Sequence, residues 1–542
     1  MKKSILILLA LFLISAKAVS APVERIYVST DRSVYVAGEY MWCSLFLVDC
    51  SSHRLSTYSA AAYMELISVD GTVATAKVAL LGGRGSGRFR IPSNIPSGNY
   101  RLAAYTASQP AESAPFGSKI LSIFNTSSTS RVKDGVVLVS EEDYMSMTRP
   151  ERETEGPVEI VIPENLRHGN SVKLNLFNGG LFSASLSVSV HRKDVTLIEA
   201  ENDGPAAFMA LLPSSSETEG LPEYEGEIIT AVTRDVPEET MVTLSSTGVT
   251  PDVYLGRTDS DGKVHFYTNN LYGNKELVVE VHGADKSSLS FVSPFKHPHP
   301  GTIAPLAISP AQKEDLLARK ASLAALPEPD TLLSFLPRRQ DAFLGGATPI
   351  IYHLDDYTRF DSFREVVVEI LGELQIREVH GKKEILMVVP EGANTRKNLM
   401  DNILVLLDGV IISDIGILEE MDANLFEDVY VYTTGVTLGG LAFNGVVNFI
   451  TKNQHVKAIR FPSNVMVVDF EGASYPMALL CGFGGDERMN LIYWNPIVDI
   501  PQGEKADISL GVPHSAGHYV IMAEGFTGDG SPISVSRDFV IR

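Results

Sequence analysis

The chain has 542 residues, 44% of them hydrophobic, and a formal net charge of -21. This length allows roughly three to five domains, and the apolar content is ordinary for folded globular modules. The acidic balance argues against a nucleic-acid partner, because a negative surface repels phosphates.

The N-terminus has the pattern of an export signal. Lys2 and Lys3 precede an apolar run over residues 4–16, and the sequence Ala16-Lys17-Ala18 fits a small-x-small cleavage site. We therefore expect a signal peptide over residues 1–18 and an exported protein. No later run approaches the ~18 apolar residues of a membrane-spanning helix, so none is expected in the mature chain.

The three cysteines, Cys43, Cys50 and Cys481, are an odd number for an exported protein. Cys43 and Cys50 lie seven residues apart on one predicted strand, which places them on opposite faces and predicts free thiols. The cysteines lack the spacing of a zinc site, and the two histidines of Lys296-His-Pro-His-Pro-Gly301 have no visible third ligand nearby. No metal or cofactor is predicted.

Short β-branched and aromatic runs, closed by turn residues such as Asp70-Gly71 and Asp529-Gly530, predict a mainly β chain of tandem sandwiches. We expect a first sandwich at residues 22–126, a polar linker at 127–156, a second sandwich at 157–235 and a third β unit at 236–295. A connector at 296–349 contains a predicted helix over 309–326. Mixed α and β patterns occupy 350–455, and a last sandwich occupies 456–542.

Three segments resemble macroglobulin-like proteins of bacteria. Residues 30–39 (TDRSVYVAGE), followed by Trp42, and residues 91–106 (IPSNIPSGNYRLAAYT) are similar to the two ends of the MG2 domain. Residues 221–229 (LPEYEGEII) resemble a segment of the same exported proteins. The resemblance implies macroglobulin- and Ig-like β-sandwiches, including the last domain.

Residues 403–412 (ILVLLDGVII) and 434–452 (TGVTLGGLAFNGVVNFITK) resemble the plug domain of TonB-dependent outer-membrane receptors. The resemblance implies an α+β plug-like domain inserted among the sandwiches. Only 90 residues follow Lys452, which is too few for a receptor barrel, so we expect a plug-like module without a pore. Its candidate interaction residues, chosen for the motif, are Asp408, Gly409, Gly439, Gly440, Asn444 and Gly445.

No catalytic constellation is found, and the protein is expected not to be an enzyme. The G-x-S-x-G, H-E-x-x-H and Walker motifs do not occur in the sequence. Macroglobulins that trap proteases covalently carry a Cys-Gly-Glu-Gln thioester, whereas this chain has Cys481-Gly-Phe-Gly484. Covalent trapping is therefore not expected.

Two functions follow from these patterns. The first is a binding or scaffold protein of the Gram-negative envelope, periplasmic or outer-membrane associated. Its partner would be an envelope or outer-membrane protein, with a TonB-dependent barrel among the candidates and an accessory role in nutrient uptake as one form. The alternative is a non-covalent endopeptidase inhibitor, for which segment 127–156 is the candidate bait loop.

Overall fold

A computed structural model describes residues 22–110, 117–127, 135–147, 154–163, 166, 171–193, 204–213, 218, 220–249, 252–269, 271–284, 288–323, 333–335, 346–379, 381–390, 397–452, 460–479, 491–511 and 516–541. The predicted signal peptide and Cys481 lie outside these residues.

The strands are numbered in chain order. Strands β1–β12 are Glu24–Thr30, Val34–Val36, Tyr40–Asp49, Ala61–Ser68, Gly71–Leu81, Arg84–Arg90, Gly98–Tyr105, Gly117–Phe124, Val136–Leu138, Val158–Val161, Ser171–Asn178 and Ala184–Arg192. Strands β13–β24 are Ile228–Thr233, Met241–Ser246, Val253–Arg257, Lys263–Tyr267, Asn274–Val281, Leu289–Phe291, Leu306–Ile308, Leu333–Phe335, Ile350–His353, Leu374–Val379, Lys382–Pro390 and Lys397–Met400.

Strands β25–β36 are Ile403–Leu407, Val410–Ile411, Phe426–Tyr432, Val436–Leu438, Leu441–Phe443, Gly445–Thr451, Val465–Glu471, Met477–Leu479, Leu491–Ile500, Lys505–Gly511, Gly517–Thr527 and Pro532–Ile541. Helices α1–α5 are Glu141–Ser146, Pro205–Ala210, Lys313–Leu323, Phe363–Glu369 and Gly416–Glu419.

Strands β1 to β8 form the first sandwich, in the order β1-β3-β6-β5-β4-β7-β8-β2. The segment that resembles MG2 supplies a buried polar cluster at its edge. The Asp31 carboxylate accepts hydrogen bonds from the Tyr35 hydroxyl at 2.7 Å and the Trp42 N–H at 2.8 Å, and Arg32 contacts Glu39 at 3.0 Å. Burial raises the pKa of Asp31 to about 6. The cluster thus connects the segment after β1 to β3.

The linker expected over residues 127–156 is wrong for the described residues 135–147. Strand β9 pairs in parallel with β19, and α1 buries Tyr144, whose hydroxyl accepts a hydrogen bond from Gln312 Nε2 at 2.7 Å. The connector helix also differs, because a 3₁₀ turn over Pro310–Gln312 precedes α3. Residues 324–326 of the predicted helix lie outside the described residues.

The two sandwiches expected at 157–235 and 456–542 are one sandwich. Strand β12 lies between β33 and β35, with Ala184 paired to both Ile500 and Thr527, and β11 pairs with β34. One apolar core includes Leu186 and Ile521 from the two distant intervals. The alternating pattern of a strand identifies its buried face but not its partner strand, so the sequence could not show this pairing.

The third sandwich also extends beyond its predicted bounds of 236–295. Its sheets are β16-β13-β18 and β15-β14-β17-β31, so it includes β13 before the interval and β31 far after it. Strand β31 pairs with β17 from Asn274↔Glu471 to Glu280↔Val465.

Residues 350–452 form an α+β unit. Its main sheet has the order β21-β27-β30-β25-β26, and β22-β23-β24 form a second sheet. Helix α4 begins at a capping box in which the Ser362 hydroxyl accepts from the Glu365 N–H, and it packs Phe363 against Phe449. The predicted fold class, mainly β with an α+β unit, is confirmed. Within the described residues, no helix has the length and apolar character needed to cross a bilayer.

Candidate functional site

Asp408 and Gly409 form a sealed turn between β25 and β26. Asp408 is fully buried, with Oδ1 accepting from the Thr451 N–H at 2.7 Å and Oδ2 accepting from Thr451 Oγ1 at 2.6 Å. Both residues have positive φ, +49° at Asp408 and +87° at Gly409. Aspartate tolerates this left-handed region and glycine adopts it freely, which explains why these two residue types form the turn. The carboxylate is thus committed to the fold of β30 and does not face solvent.

The same turn joins the α+β unit to the third sandwich. The carbonyl of Asp408 accepts from the Gly248 N–H at 2.7 Å. Asn448, also fully buried, accepts from the Gly409 N–H at 3.1 Å and donates from Nδ2 to the carbonyl of Val249 at 3.3 Å. Sequence reasoning missed Asn448, although a polar residue inside the apolar run of β30 is a readable signal.

Asn444 and Gly445 fix the start of β30. The Asn444 N–H donates to the carbonyl of Asn402 at 3.0 Å, and its Nδ2 donates to the carbonyl of Asp401 at 2.9 Å. Gly445 pairs with Ile403, and a Cβ there would lie 2.6 Å from Met387 and 2.9 Å from the Tyr432 carbonyl oxygen. A side chain at position 445 would therefore displace the Met387 side chain of β23 and crowd the Tyr432 carbonyl at the end of β27.

Gly439 and Gly440 form the turn of the hairpin β28–β29, and both have positive φ. A Cβ on Gly439 would lie 2.4 Å from the Cβ of Leu255 on β15, whereas a Cβ on Gly440 would meet open space. Gly439 therefore lets the hairpin tip contact the third sandwich, and Gly440 serves only the turn.

The six motif residues do not converge on one ligand site. They surround a joint between two sheets, in which Leu404, Leu406 and Val446 of the α+β unit pack with Val253 of the third sandwich. Val410 packs against Val278 beside it, and Ser413 donates to the Glu280 carboxylate at 2.8 Å. One face of the main α+β sheet is thus covered by its own helices and the other by the third sandwich.

A groove lies open at the end of this joint. Its volume is about 340 Å³, and its lining comes from both units: Met241, Leu255, Gly256, Arg257, His265, Tyr267, Gly439 and Leu441. The described residues hold no cluster of three or more potential metal ligands. The groove is therefore the opening that the motif itself helps to build.

A second group of buried carboxylates joins the first sandwich to the third. Glu223 accepts from the Tyr63 hydroxyl at 2.6 Å and the Ile228 N–H at 2.8 Å, and Glu227 lies 2.5 Å from Lys77 Nζ. Burial raises the pKa of Glu223 to about 7 and also raises that of Glu227, where Lys77 acts in the opposite direction. Both carboxyl groups are almost fully buried, so they hold two sandwiches together without access for a substrate.

No protein-family model matches the chain, and no curated protein matches it. Among solved structures, it is similar to native Escherichia coli alpha-2-macroglobulin, with 9% identity and a TM-score of 0.25, over 97% of this chain and 40% of that one. Salmonella alpha-2-macroglobulin reacted with methylamine matches with 9% identity, a TM-score of 0.24 and the same two coverages.

Latent PorU from Porphyromonas gingivalis matches with 9% identity and a TM-score of 0.17, over 50% of this chain and 33% of that one. The chain spans about two fifths of the length of the two macroglobulins. Likenesses this distant carry no argument about activity or partners.

Proposed function

We propose that the chain is an exported, non-enzymatic protein-binding scaffold of the Gram-negative envelope. The observation that carries the proposal is the use of the plug-like motif. Its residues Asp408, Asn448 and Gly439 join two units, and an open groove lies at the edge of that joint. Rigid units that present a preformed groove suit binding rather than chemistry.

Site-specific photocrosslinking in intact cells tests the proposal. A photoreactive amino acid replaces Tyr267, which is 62% exposed at the groove, and in a second variant it replaces Leu181, which is 78% exposed between β11 and β12. The scaffold proposal expects envelope proteins in crosslinks from at least one of these surfaces. Recovery of no envelope protein from either position would contradict it.

The plug resemblance makes a TonB-dependent barrel the first partner to test, with accessory uptake as the form of the function. Because both faces of the main α+β sheet are covered, we propose that a barrel would contact loops and the groove rather than enclose this unit. Isolation of the chain from detergent-solubilised outer membranes should then recover a TonB-dependent receptor at near-stoichiometric amounts. Its consistent absence from such preparations would remove this form of the proposal.

The alternative, a non-covalent endopeptidase inhibitor, requires an accessible bait segment within 127–156. Its described part is held by the pairing of β9 with β19 and by the bond from Gln312 to Tyr144, which favours the scaffold. Incubation with trypsin and with elastase at equimolar protein should leave protease activity on a protein substrate unchanged. A stoichiometric loss of that activity would establish the inhibitor instead.

A further inference from the structure

We propose that the groove beside Gly439 binds an extended peptide segment that carries an apolar side chain close to a carboxylate. The inference rests on the proposed binding function and names the chemistry of the partner. The volume of the groove, about 340 Å³, lies at the low end of ligand sites. It is enough for one or two side chains but not for a large cofactor.

The walls of the groove are preformed. The hairpin β28–β29 is paired from Val436↔Phe443 to Leu438↔Leu441, and its tip contacts Leu255 directly at Gly439. On the other side, a Cβ on Gly256 would lie 2.4 Å from Val264, so β15 and β16 are also in close contact. A site with fixed walls loses little conformational entropy when a ligand enters.

The lining combines an apolar floor with hydrogen-bond donors. Met241, Leu255 and Leu441 supply the floor, and the ring of Tyr267 extends it into solvent. Arg257 uses Nη1 to bind the carbonyl of Glu239 at 3.1 Å, which leaves further N–H groups of its guanidinium for a ligand.

His265 contributes a second polar group. Its Nδ1 lies 2.9 Å from Thr230 Oγ1, and across the described residues no hydrogen bond involves its Nε2. The groove thus offers the fork of Arg257, which binds carboxylates in bidentate geometry, next to an apolar pocket. The Glu239 carboxylate lies 3.8 Å from Arg257 Nε and offsets part of its charge, so an acidic ligand would be selected by hydrogen-bond geometry as well as by charge.

The edges of the two sheets argue for a peptide. Strands β15 and β16 are the outer strands of their sheets, so over the described residues each has a ladder partner on one edge only, and both contribute residues to the groove. Unpaired N–H and C=O groups along an edge accept the main chain of an extended segment, while alternate side chains enter pockets. The net charge of -21 disfavours an acidic partner at long range, so binding of an acidic segment here depends on the guanidinium of Arg257.

A phage-displayed library of random twelve-residue peptides, selected on the mature protein, tests the inference. Recovered peptides should share an apolar residue within two positions of Asp or Glu, and fluorescence polarisation measures their affinity. Arg257→Gln should weaken binding about tenfold, as expected for a lost charged hydrogen bond, and Arg257→Lys should restore only part of it. Leu181→Asp, which changes an exposed apolar side chain elsewhere, should have no effect.

Thermal unfolding should be nearly unchanged in all three variants, because the Arg257 side chain is 50% exposed and Leu181 is 78% exposed. Recovered peptides without a shared acidic residue, or with equal affinity for the Arg257→Gln protein, would overturn the inference. So would a selection that recovers no binding peptide. A partner crosslinked only at Leu181 would retain the scaffold function while excluding this groove as its site.

Discussion

The carboxylate of Asp408 binds Thr451 through both of its oxygens, to the N–H at 2.7 Å and to Oγ1 at 2.6 Å. Because Asp408 follows β25 and Thr451 ends β30, this contact locks the parallel pair at the centre of the α+β sheet. Asp408, in the motif that resembles a receptor plug, therefore has a structural role in this chain: it holds β25 and β30 together.

Asp408→Ala should destabilise the α+β unit by about 3 kcal/mol, because a buried N–H and a buried hydroxyl lose their acceptor. Asp408→Asn should cost less, since its amide oxygen still accepts from the Thr451 N–H. Hydrogen exchange of peptides covering β30 measures this unit separately from the sandwiches. Asp401→Asn, on an exposed neighbour, is the control. Equal exchange in Asp408→Ala and the control would contradict the structural role.

Gly439 and Gly440 provide a matched pair of substitutions. Both have positive φ, so alanine at either position costs about 1 kcal/mol in backbone strain. Only Gly439→Ala also forces a Cβ to within 2.4 Å of Leu255. Limited proteolysis of residues 436–443 should therefore accelerate clearly in Gly439→Ala and slightly in Gly440→Ala. Similar rates for the two variants would mean that the hairpin tip does not depend on this contact.

Much of the α+β unit is readable from sequence because its signals are local. The apolar run of β25 predicts a strand buried on both faces, and the structure covers both. The pattern at 363–371 leaves helix and strand open, although Ser362 and Glu365 form a capping box that favours the helix found there. The joint with the third sandwich depends on Val253 and Gly248, far away in sequence, so motif spacing alone could not reveal it.

Long-range strand pairing accounts for most of the differences between the domain boundaries predicted from the sequence and those in the structure. Ala184 pairs with Ile500, and Lys275 pairs with Phe470. Two units therefore each combine strands that are distant in the sequence. Hydrophobic alternation is the same for every strand with one buried face, and it does not encode which strand is adjacent. The groove likewise forms only where the third sandwich meets the α+β unit, which brings Arg257 and Leu441 together.

Contact between the first and third sandwiches should weaken as pH rises from about 4.5 to about 7. Burial raises the pKa of Glu223 from 4.5 to about 7, so the folded protein keeps a proton that the unfolded chain releases. The stabilisation is complete below the unfolded pKa and is lost as pH rises through the folded one, at most ~3 kcal/mol. Glu223 Oε2 has no hydrogen-bond partner among the described residues, so no donor to this oxygen offsets the burial of its negative charge.

Urea unfolding of the mature protein and of Glu223→Gln at pH 5, 6, 7 and 8 measures this effect. The wild-type midpoint should fall across this range by more than that of the glutamine variant, whose amide cannot titrate. Glu225→Gln, on an exposed neighbour in the same segment, should follow the wild type. Parallel pH profiles for wild type and Glu223→Gln would show that Glu223 is not the titrating group.

Arg84 lies between the first sandwich and the sandwich in which β11 and β12 pair with β33, β34 and β35. It should be among the least replaceable residues of this interface. Its guanidinium donates to the carbonyls of Leu186 at 3.0 Å and Pro496 at 2.5 Å, and it lies 4.1 Å above the ring of Phe46. Burial lowers its pKa to about 10, so it still carries its charge at neutral pH. Arg84→Ala removes these bonds and the packing on Phe46, although the Pro496 carbonyl still accepts from the Ser44 hydroxyl at 2.9 Å.

We expect Arg84→Ala to cost about 3–5 kcal/mol, as for a broken buried polar network, and to lower the thermal midpoint. Arg84→Lys should recover little, because one ammonium group cannot reproduce a guanidinium that donates from Nη2 to both carbonyls and from Nη1 to the Ser185 hydroxyl. Arg54→Ala, which removes an exposed guanidinium from the same sandwich, should unfold like the wild type. If Arg84→Lys were as stable as the wild type, one cationic donor group would hold this interface and the second nitrogen of the guanidinium would be unnecessary.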